Sequence, residues 1–167
     1  MSDPIDGTQR RASVTRHDNQ LVITRTFAAP AALVYEAMTR PEHIRQWWGA
    51  GHGEVTTCEV DLRVGGRWHF AQVTPDGTEV SFSGEYRELD PPGRLVHTEV
   101  FDNIGGPPSL VETSYTEEGG VTHLRAVITY DSPETVDMVV ASGMESGLND
   151  SYDALEALVQ RVAAGNG

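Results

Sequence analysis

Three residues in the middle of the sequence carry side chains that accept and donate protons. His97 and Glu99 are two positions apart within the predicted strand 94–102, so both point to the same face of that strand. His69 lies on an earlier predicted strand. Turned inward, these groups would act as acid and base, or would orient a ligand by hydrogen bonds. Both faces of strand 94–102 are half apolar, and we interpret His97 and Glu99 as outward or rim residues.

No other arrangement of residues matches a familiar catalytic or cofactor site. The six histidines and the single cysteine, Cys58, lack metal-ligand spacing, and Cys58 fits a small buried residue. The segment Gly143 to Gly147 has its serine one place too late for a nucleophile elbow. The chain has no lysine and no Gly-x-Gly-x-x-Gly, which excludes P-loop, Schiff-base and dinucleotide chemistry. We therefore predict no metal, no cofactor and no ATPase activity.

Charge and hydropathy restrict the partners of the protein. The chain has 25 acidic and 12 basic residues and a net charge of −13, whereas nucleic-acid binding requires the opposite excess. The N-terminal residues lack the apolar core of a signal peptide, and no apolar run reaches the roughly 18 residues of a membrane span. One cysteine leaves no intrachain disulfide. We expect a cytoplasmic protein that neither binds nucleic acid nor inserts into membranes.

The periodicity of apolar residues predicts one α+β domain behind a tail. Residues 1–19 show neither strand nor helix periodicity, and we predict a disordered tail there and a single domain over 20–163. A strand at 20–27 leads into two short helices that begin at prolines. One apolar stripe predicts a single long helix from residue 133 to about 163. Between them, turn residues separate six strands of an expected antiparallel meander, at 54–62, 66–73, 78–89, 94–102, 109–117 and 121–130.

Aromatic residues recur on one face of two of these strands. Trp68 and Phe70 share a face of their strand, and Phe82 and Tyr86 share a face of the next one. A long amphipathic helix needs an apolar surface of matching size, which only the sheet offers. We expect all four rings to face the C-terminal helix, where they line a cavity or form a packed core.

Two glycines interrupt the stripe of the C-terminal helix. Gly143 and Gly147 lie on either side of Met144, and each glycine costs a helix about 1 kcal/mol relative to alanine. They either let the helix approach the sheet closely or leave room for a ligand.

From Ile23 to about Leu158 the chain resembles a known group of proteins, the START-like, birch-allergen-like helix-grip superfamily (SRPBCC). Within it, the chain resembles the domains similar to the activator of heat-shock-protein-90 ATPase. The likeness rests on segments in the right order, namely Trp47-Trp48-Gly49, Asp61 to Trp68, Pro75-Asp76-Gly77, Gly84-Glu85-Tyr86, Leu89-Asp90-Pro91-Pro92, Thr98 to Phe101 and Ser142 to Gly147.

The resemblance implies a helix-grip fold, in which a curved seven-stranded antiparallel sheet wraps the long C-terminal helix and two short helices close one end. It also implies a cavity for a lipid-, sterol- or polyketide-like molecule, which is the function we expect. A cyclase or hydrolase that uses the same cavity and a co-chaperone-like interaction module stay open as alternatives, as does a protein partner or homodimer. The expected ligand-binding residues are Trp47, Trp48, Trp68, Phe70, Phe82, Tyr86, Met144, Gly147, Leu148 and Tyr152, with His97, Glu99 and His69 as candidate acids and bases.

Overall fold

The computed structural model of the protein describes residues 11–165. Its strands are β1 (Ser13–His17), β2 (Gln20–Phe27), β3 (Glu54–Val60), β4 (Arg67–Val73), β5 (Glu79–Asp90), β6 (Arg94–Phe101), β7 (Ser109–Glu118) and β8 (Val121–Thr129). Its helices are α1 (Ala31–Ala37), α2 (Pro41–Trp47), α3 (Pro133–Ala141) and α4 (Met144–Ala163).

One antiparallel sheet contains all eight of these strands, in the order β1-β2-β8-β7-β6-β5-β4-β3. The six strands of the meander pair with their sequence neighbours, because the turns between them are short. Strand β2 closes the far side by pairing with β8. The α+β helix-grip architecture is therefore confirmed, with eight strands in place of the expected seven.

The additional strand, β1, lies inside the segment that we predicted to be disordered. Ser13–His17 pairs with β2, and the buried Ala12 donates its N–H to Oδ1 of Asn149 at 2.9 Å. The guanidinium of Arg16 pairs with Asp137 and donates to the carbonyl of Pro133 at 2.9 Å. The predicted tail is thus wrong for residues 13–17, because backbone pairing and contacts with α3 and α4 order a segment of low hydropathy. Residues 1–10 lie outside the described residues, and the domain bounds 20–163 stay a prediction.

The C-terminal helix is divided in two, whereas the apolar stripe predicted one helix. Ser132 caps α3 by accepting the N–H of Thr135 at 3.2 Å, which agrees with the predicted start. The break lies at Gly143, whose φ of 82° is a left-handed conformation that favours glycine. This glycine therefore serves the backbone and makes no room for a guest. Helix α4 alone has 20 residues and is about 30 Å long.

Burial of the inward residues changes along α4. Leu155 and Val159, in its C-terminal half, are fully buried in the core. Met144, Gly147 and Leu148, in its first turns, are only half-buried. The core between helix and sheet is thus closely packed along the C-terminal half of α4 and less so along its first turns.

Candidate functional site

The inner face of β4 and β5 is aromatic, as the alternation predicted. Trp68 and Phe70 are neighbours on β4, with ring centroids 4.8 Å apart, and Phe70 pairs across the sheet with Phe82. Trp68 and Tyr86 are buried in the core, while Phe70 and Phe82 are half-buried and pack against it. Partial burial of large rings on the inner face indicates space above them.

A glycine in the interior of β5 brings Trp68 close to Glu99. Gly84 pairs with Trp68 on one side, and the pairing of Phe82 with Phe101 places it opposite Glu99 on the other. A side chain at Gly84 would collide with the carbonyl of Thr98, and its Cβ would lie 2.7 Å from the indole nitrogen of Trp68. The indole nitrogen of Trp68 therefore lies over Gly84, which is the neighbour of Glu99 in the sheet.

The other flank of Glu99 carries a small side chain. Glu99 pairs with Ser109, whose hydroxyl donates to the backbone carbonyl of Glu99 at 3.2 Å. The register of β7 with β8 then places Tyr130 beside Ser109. We call the row Trp68, Gly84, Glu99, Ser109 and Tyr130 the Glu99 row. It has a carboxylate in the middle, a small residue on each side and an aromatic ring at each end.

Helix α4 covers the Glu99 row with Tyr152. The pKa of Tyr152 is raised to about 12, mainly by burial, while the charge of Arg25 lowers it and the charge of Glu99 raises it. The same two causes raise the pKa of Tyr130. Tyr152 packs edge-on against Phe27, with ring centroids 5.6 Å apart, which fixes it under the sheet. Both tyrosines therefore lie close to the Glu99 carboxylate.

His97 and Glu99 point inward, so our outward or rim interpretation was wrong. The imidazole of His97 contacts the rings of Trp68 and Tyr86, at centroid distances of 5.5 and 6.4 Å. Burial lowers the pKa of His97 to about 4 and raises that of Glu99 to about 7. Each side chain nevertheless keeps some accessible surface. A side chain that is deep in protein and still partly accessible lines an internal space.

Polar atoms of this site lack partners within the protein. The indole nitrogen of Trp68 and Nδ1 of His97 are buried without a hydrogen bond. Among residues 11–165, nothing forms a hydrogen bond or ion pair with the carboxylate of Glu99. Buried polar groups are normally paired, and leaving one unpaired costs about 1–3 kcal/mol. The arrangement fits a site that a polar ligand group or water completes.

The open end of the site is formed by Trp48 and α4. The ring of Trp48 packs edge-on against Phe70 and Phe82, at centroid distances of 5.6 and 5.9 Å. A side chain built at Gly147 would meet nothing within 4 Å. Ser151, one turn further along α4, accepts the N–H of Gly49 at 3.1 Å and holds the segment after Trp48 against the helix. The position of Gly147 thus borders open space, and its role in ligand binding stays a prediction.

Trp47 has a different role from Trp48. It is 7% exposed, and its indole nitrogen donates to the carbonyl of Ala37 at 2.9 Å. Its polar atom is satisfied and its ring joins α2 to α1. The structure therefore places Trp47 in the packing of the two short helices, away from the open face.

His69 lies on the opposite face of the sheet from His97 and Glu99. It borders an outer groove of about 750 Å³, lined by Glu59, Arg67, Trp68, His69, Glu79, Ser81, Ser83, Asp102 and Asn103. Nε2 of His69 is 2.8 Å from the hydroxyl of Ser81, and Ser81 and Ser83 each donate to the carboxylate of Asp102 at 2.7 Å. His69 therefore does not belong to one site with His97 and Glu99.

Alternation along the strands places Gly84 and Tyr130 on the apolar lining of the sheet, but we did not name them as ligand-binding residues, and Ser109 was missed altogether. An isolated glycine inside a strand signals a close approach of other groups, and Gly84 carries that signal. Ser109 and Tyr130 carry no such signal, because their position depends on the register of three strands.

Two further observations concern metal binding and membrane insertion. No group of three or more His, Cys, Asp or Glu residues within residues 11–165 is arranged to hold a metal ion. No helix in that same range is long and apolar enough to cross a membrane.

A curved antiparallel sheet around a C-terminal helix, with an aromatic inner face, defines a helix-grip domain of the SRPBCC superfamily. The model of the family described as "Activator of Hsp90 ATPase homolog 1-like protein" matches residues 28–160, and the chain belongs to that family. This fold is consistent with the binding of a ligand in a hydrophobic cavity. No curated protein sequence matches the chain.

Solved structures support the same assignment. A protein from Rhodobacter sphaeroides is 26% identical, with a TM-score of 0.82 over 90% of this chain and 98% of that one. A protein from Mycobacterium smegmatis is 28% identical, with a TM-score of 0.77 over 88% of this chain and 97% of that one. Protein NE0264 from Nitrosomonas europaea is 24% identical, with a TM-score of 0.78 over 87% of this chain and 96% of that one. At this identity the likeness supports the fold and nothing more.

Proposed function

We propose that the protein binds one small hydrophobic molecule, of lipid-, sterol- or polyketide-like character, between the inner face of the sheet and helix α4. The observation that carries this proposal is the change of burial along α4. Leu155 is sealed, whereas Met144 and Leu148 are half-buried and Gly147 faces open space. A core that needed no guest would be packed at both ends, since protein interiors have the density of organic crystals.

The chemistry of the walls indicates how such a ligand is held. Trp48, Phe70 and Phe82 offer ring surfaces for apolar contact, which supplies the affinity. The unpaired indole N–H of Trp68 and the carboxylate of Glu99 supply a few polar contacts, which fix the orientation. Sites for small molecules typically combine these two kinds of surface.

An enzyme that uses the same space is the second candidate function. The observation in its favour is the inward Glu99, whose burial raises the pKa to about 7, a value suited to proton transfer near neutral pH. Against it, no hydrogen bond joins His97 to Glu99 within the described residues, so no acid–base pair is assembled in advance. Binding requires no such pair and is the better supported function.

Titration with N-phenyl-1-naphthylamine, an uncharged apolar dye that brightens in apolar surroundings, tests the proposal. We expect saturable binding of one dye per chain. Gly147→Leu should fill the open space and weaken binding at least about tenfold, the effect of losing roughly 1.4 kcal/mol. Ser146→Leu is the matched control, because it adds the same side chain at the neighbouring, exposed position of α4 and should leave binding unchanged.

The stability of the two variants separates a cavity from a solid core. If the space is open, Gly147→Leu unfolds at the same or a somewhat higher denaturant concentration than the wild type, because leucine removes the helix cost of glycine, about 1 kcal/mol. If the core is solid, the added side chain overpacks it and costs about 1–3 kcal/mol. Lack of saturable dye binding together with that destabilisation would overturn the proposal and favour an interaction module.

A further inference from the structure

The Glu99 row combines a buried carboxylate with aromatic rings and lacks a cation. Each end of the row is a ring, Trp68 or Tyr130, and Tyr152 covers it from α4. A buried carboxylate with aromatic rings nearby suits an ammonium group, because the carboxylate attracts a cation and so does the face of a ring that is turned toward it. A fatty acid would instead place a second negative charge beside Glu99.

The protein does not supply the missing cation from its own side chains. The chain contains no lysine, so an arginine or a protonated histidine would have to serve. The buried Arg25 lies near Tyr152, but its guanidinium pairs with Asp153 at 3.0 Å and Glu156 at 3.7 Å. His97 is uncharged near neutral pH, because burial lowers its pKa to about 4. Glu99 is thus left without a positive partner among the described residues.

The two flanks of Glu99 differ in the space that they leave. Over Gly84 the indole of Trp68 fills the space, whereas on the other flank the neighbour of Glu99 is the small side chain of Ser109, which leaves room for a ligand group. Neighbouring strands lie about 4.8 Å apart. The backbones of Trp68 and Tyr130 are each two strands away from the backbone of Glu99, which is a distance of roughly 10 Å. An ammonium with its attached carbons fits a gap of this size.

We propose that the ligand of this site carries a positively charged amine, which binds between the carboxylate of Glu99 and the rings of Trp68, Tyr130 and Tyr152. This inference rests on the proposed function and adds the charge of the ligand to it. The net charge of −13 favours cations near the protein in general, so the experiment must separate this overall attraction from the local one.

Three compounds with the same ten-carbon chain test the proposal by displacing the naphthylamine dye: decylamine, decanol and decanoate. Measurements at about pH 8 and moderate salt keep the amine charged and Glu99 ionised. We expect decylamine to bind most tightly and decanoate most weakly. Glu99→Gln should weaken decylamine by about 10- to 100-fold, which is the usual contribution of a charged hydrogen bond, and should weaken decanol far less, because its neutral hydroxyl can bond to either side chain.

Asp102→Asn is the matched control, since it removes one negative charge from the outer face near the same strands. It should leave the preference for decylamine intact. A second measurement needs no variant. At pH 5 Glu99 takes up a proton, while His97, Tyr86, Tyr130 and Tyr152 keep their neutral-pH states. The preference of the wild type for decylamine over decanol should therefore shrink.

The two proposals fail in different ways. Binding of decanol and decylamine with equal affinity, unaffected by Glu99→Gln and by pH, would overturn the amine proposal and leave hydrophobic binding in place. An equal loss of preference in Asp102→Asn and Glu99→Gln would also overturn it, by showing that only the overall charge matters. Failure of the dye and of all three compounds to bind would overturn the proposed function itself.

Discussion

Two histidine–carboxylate clusters lie on opposite faces of the same strands, and they differ in how their polar atoms are satisfied. On the outer face, Ser81 and Ser83 donate to Asp102, and His69 contacts Ser81 at 2.8 Å. On the inner face, His97 and Glu99 share no hydrogen bond, and Nδ1 of His97 is unpaired. The outer cluster satisfies its polar atoms by itself, whereas the inner one leaves Nδ1 of His97 without a partner.

The comparison teaches that residue types alone do not identify a binding site. Both clusters contain a histidine and a carboxylate within the same part of the sheet. Only the inner one is surrounded by apolar rings, and burial there shifts the pKa values of His97 and Glu99 in opposite directions. Perturbed pKa values next to unpaired polar atoms are a feature of functional sites.

The largest effect is expected at Gly84, which the inner cluster requires. Gly84→Val should collide with the carbonyl of Thr98 and displace Trp68, at a cost on the order of 3 kcal/mol or more. Ser83→Val places the same side chain one residue away, on the outer face, and should cost about 1 kcal/mol for its hydrogen bond to Asp102. Urea unfolding of both variants measures the difference, and equal costs would show that the two faces are equally tolerant.

The pH dependence of stability should reveal the two inner groups separately. Glu99 has a raised pKa, so the folded state loses stability as pH rises from 4.5 to about 7. His97 has a lowered pKa, so the folded state gains stability as pH rises from about 4 to 6.5. The two effects oppose each other in the wild type, and each amounts to up to about 3 kcal/mol.

Single variants should therefore change the pH dependence of the unfolding free energy in opposite directions. The unfolding free energy of Glu99→Gln, relative to wild type, should rise between pH 4.5 and 7, since the loss due to Glu99 is gone. That of His97→Gln, relative to wild type, should fall between pH 4 and 6.5. Denaturant titrations at a series of pH values provide the test. Differences that do not change with pH would mean that neither group is buried as described.

The smallest effect is expected on the outer face. Asp102→Asn weakens the hydrogen bonds from Ser81 and Ser83, and we expect a loss of about 1–2 kcal/mol with no change in dye affinity. A clear loss of dye affinity in this variant would contradict the assignment of binding to the inner face.

Local patterns were enough to predict most of the fold. The prolines at positions 30 and 41 predicted the starts of α1 and α2, and turn residues predicted the six meander strands to within a few positions. The strand β1 was missed because pairing with β2 and contacts with Asn149 stabilise it, and neither follows from its own sequence. The division of the last helix was missed because an apolar stripe continues across Gly143.

The inner site was only half predictable. Alternation placed Trp68, Phe82 and Tyr86 on the inner face, since that requires only the pleat of a strand. The direction of Glu99 depended on which half-apolar face of β6 turns inward, and the pattern of that strand does not decide it. Its row with Tyr130 depends on pairing across three strands, which no single segment encodes.

The central claim is that a hydrophobic molecule binds on the inner face, and the indole N–H signals of the three tryptophans test it most directly by NMR. The N–H of Trp68 is buried without a partner on the inner face, whereas that of Trp47 is bonded to the carbonyl of Ala37. On titration with the naphthylamine dye, the Trp68 signal should shift saturably with one equivalent while the Trp47 signal stays in place. A Trp68 signal that does not move at saturating dye, with shifts confined to the backbone amides of Ser81 and Ser83, would contradict the account.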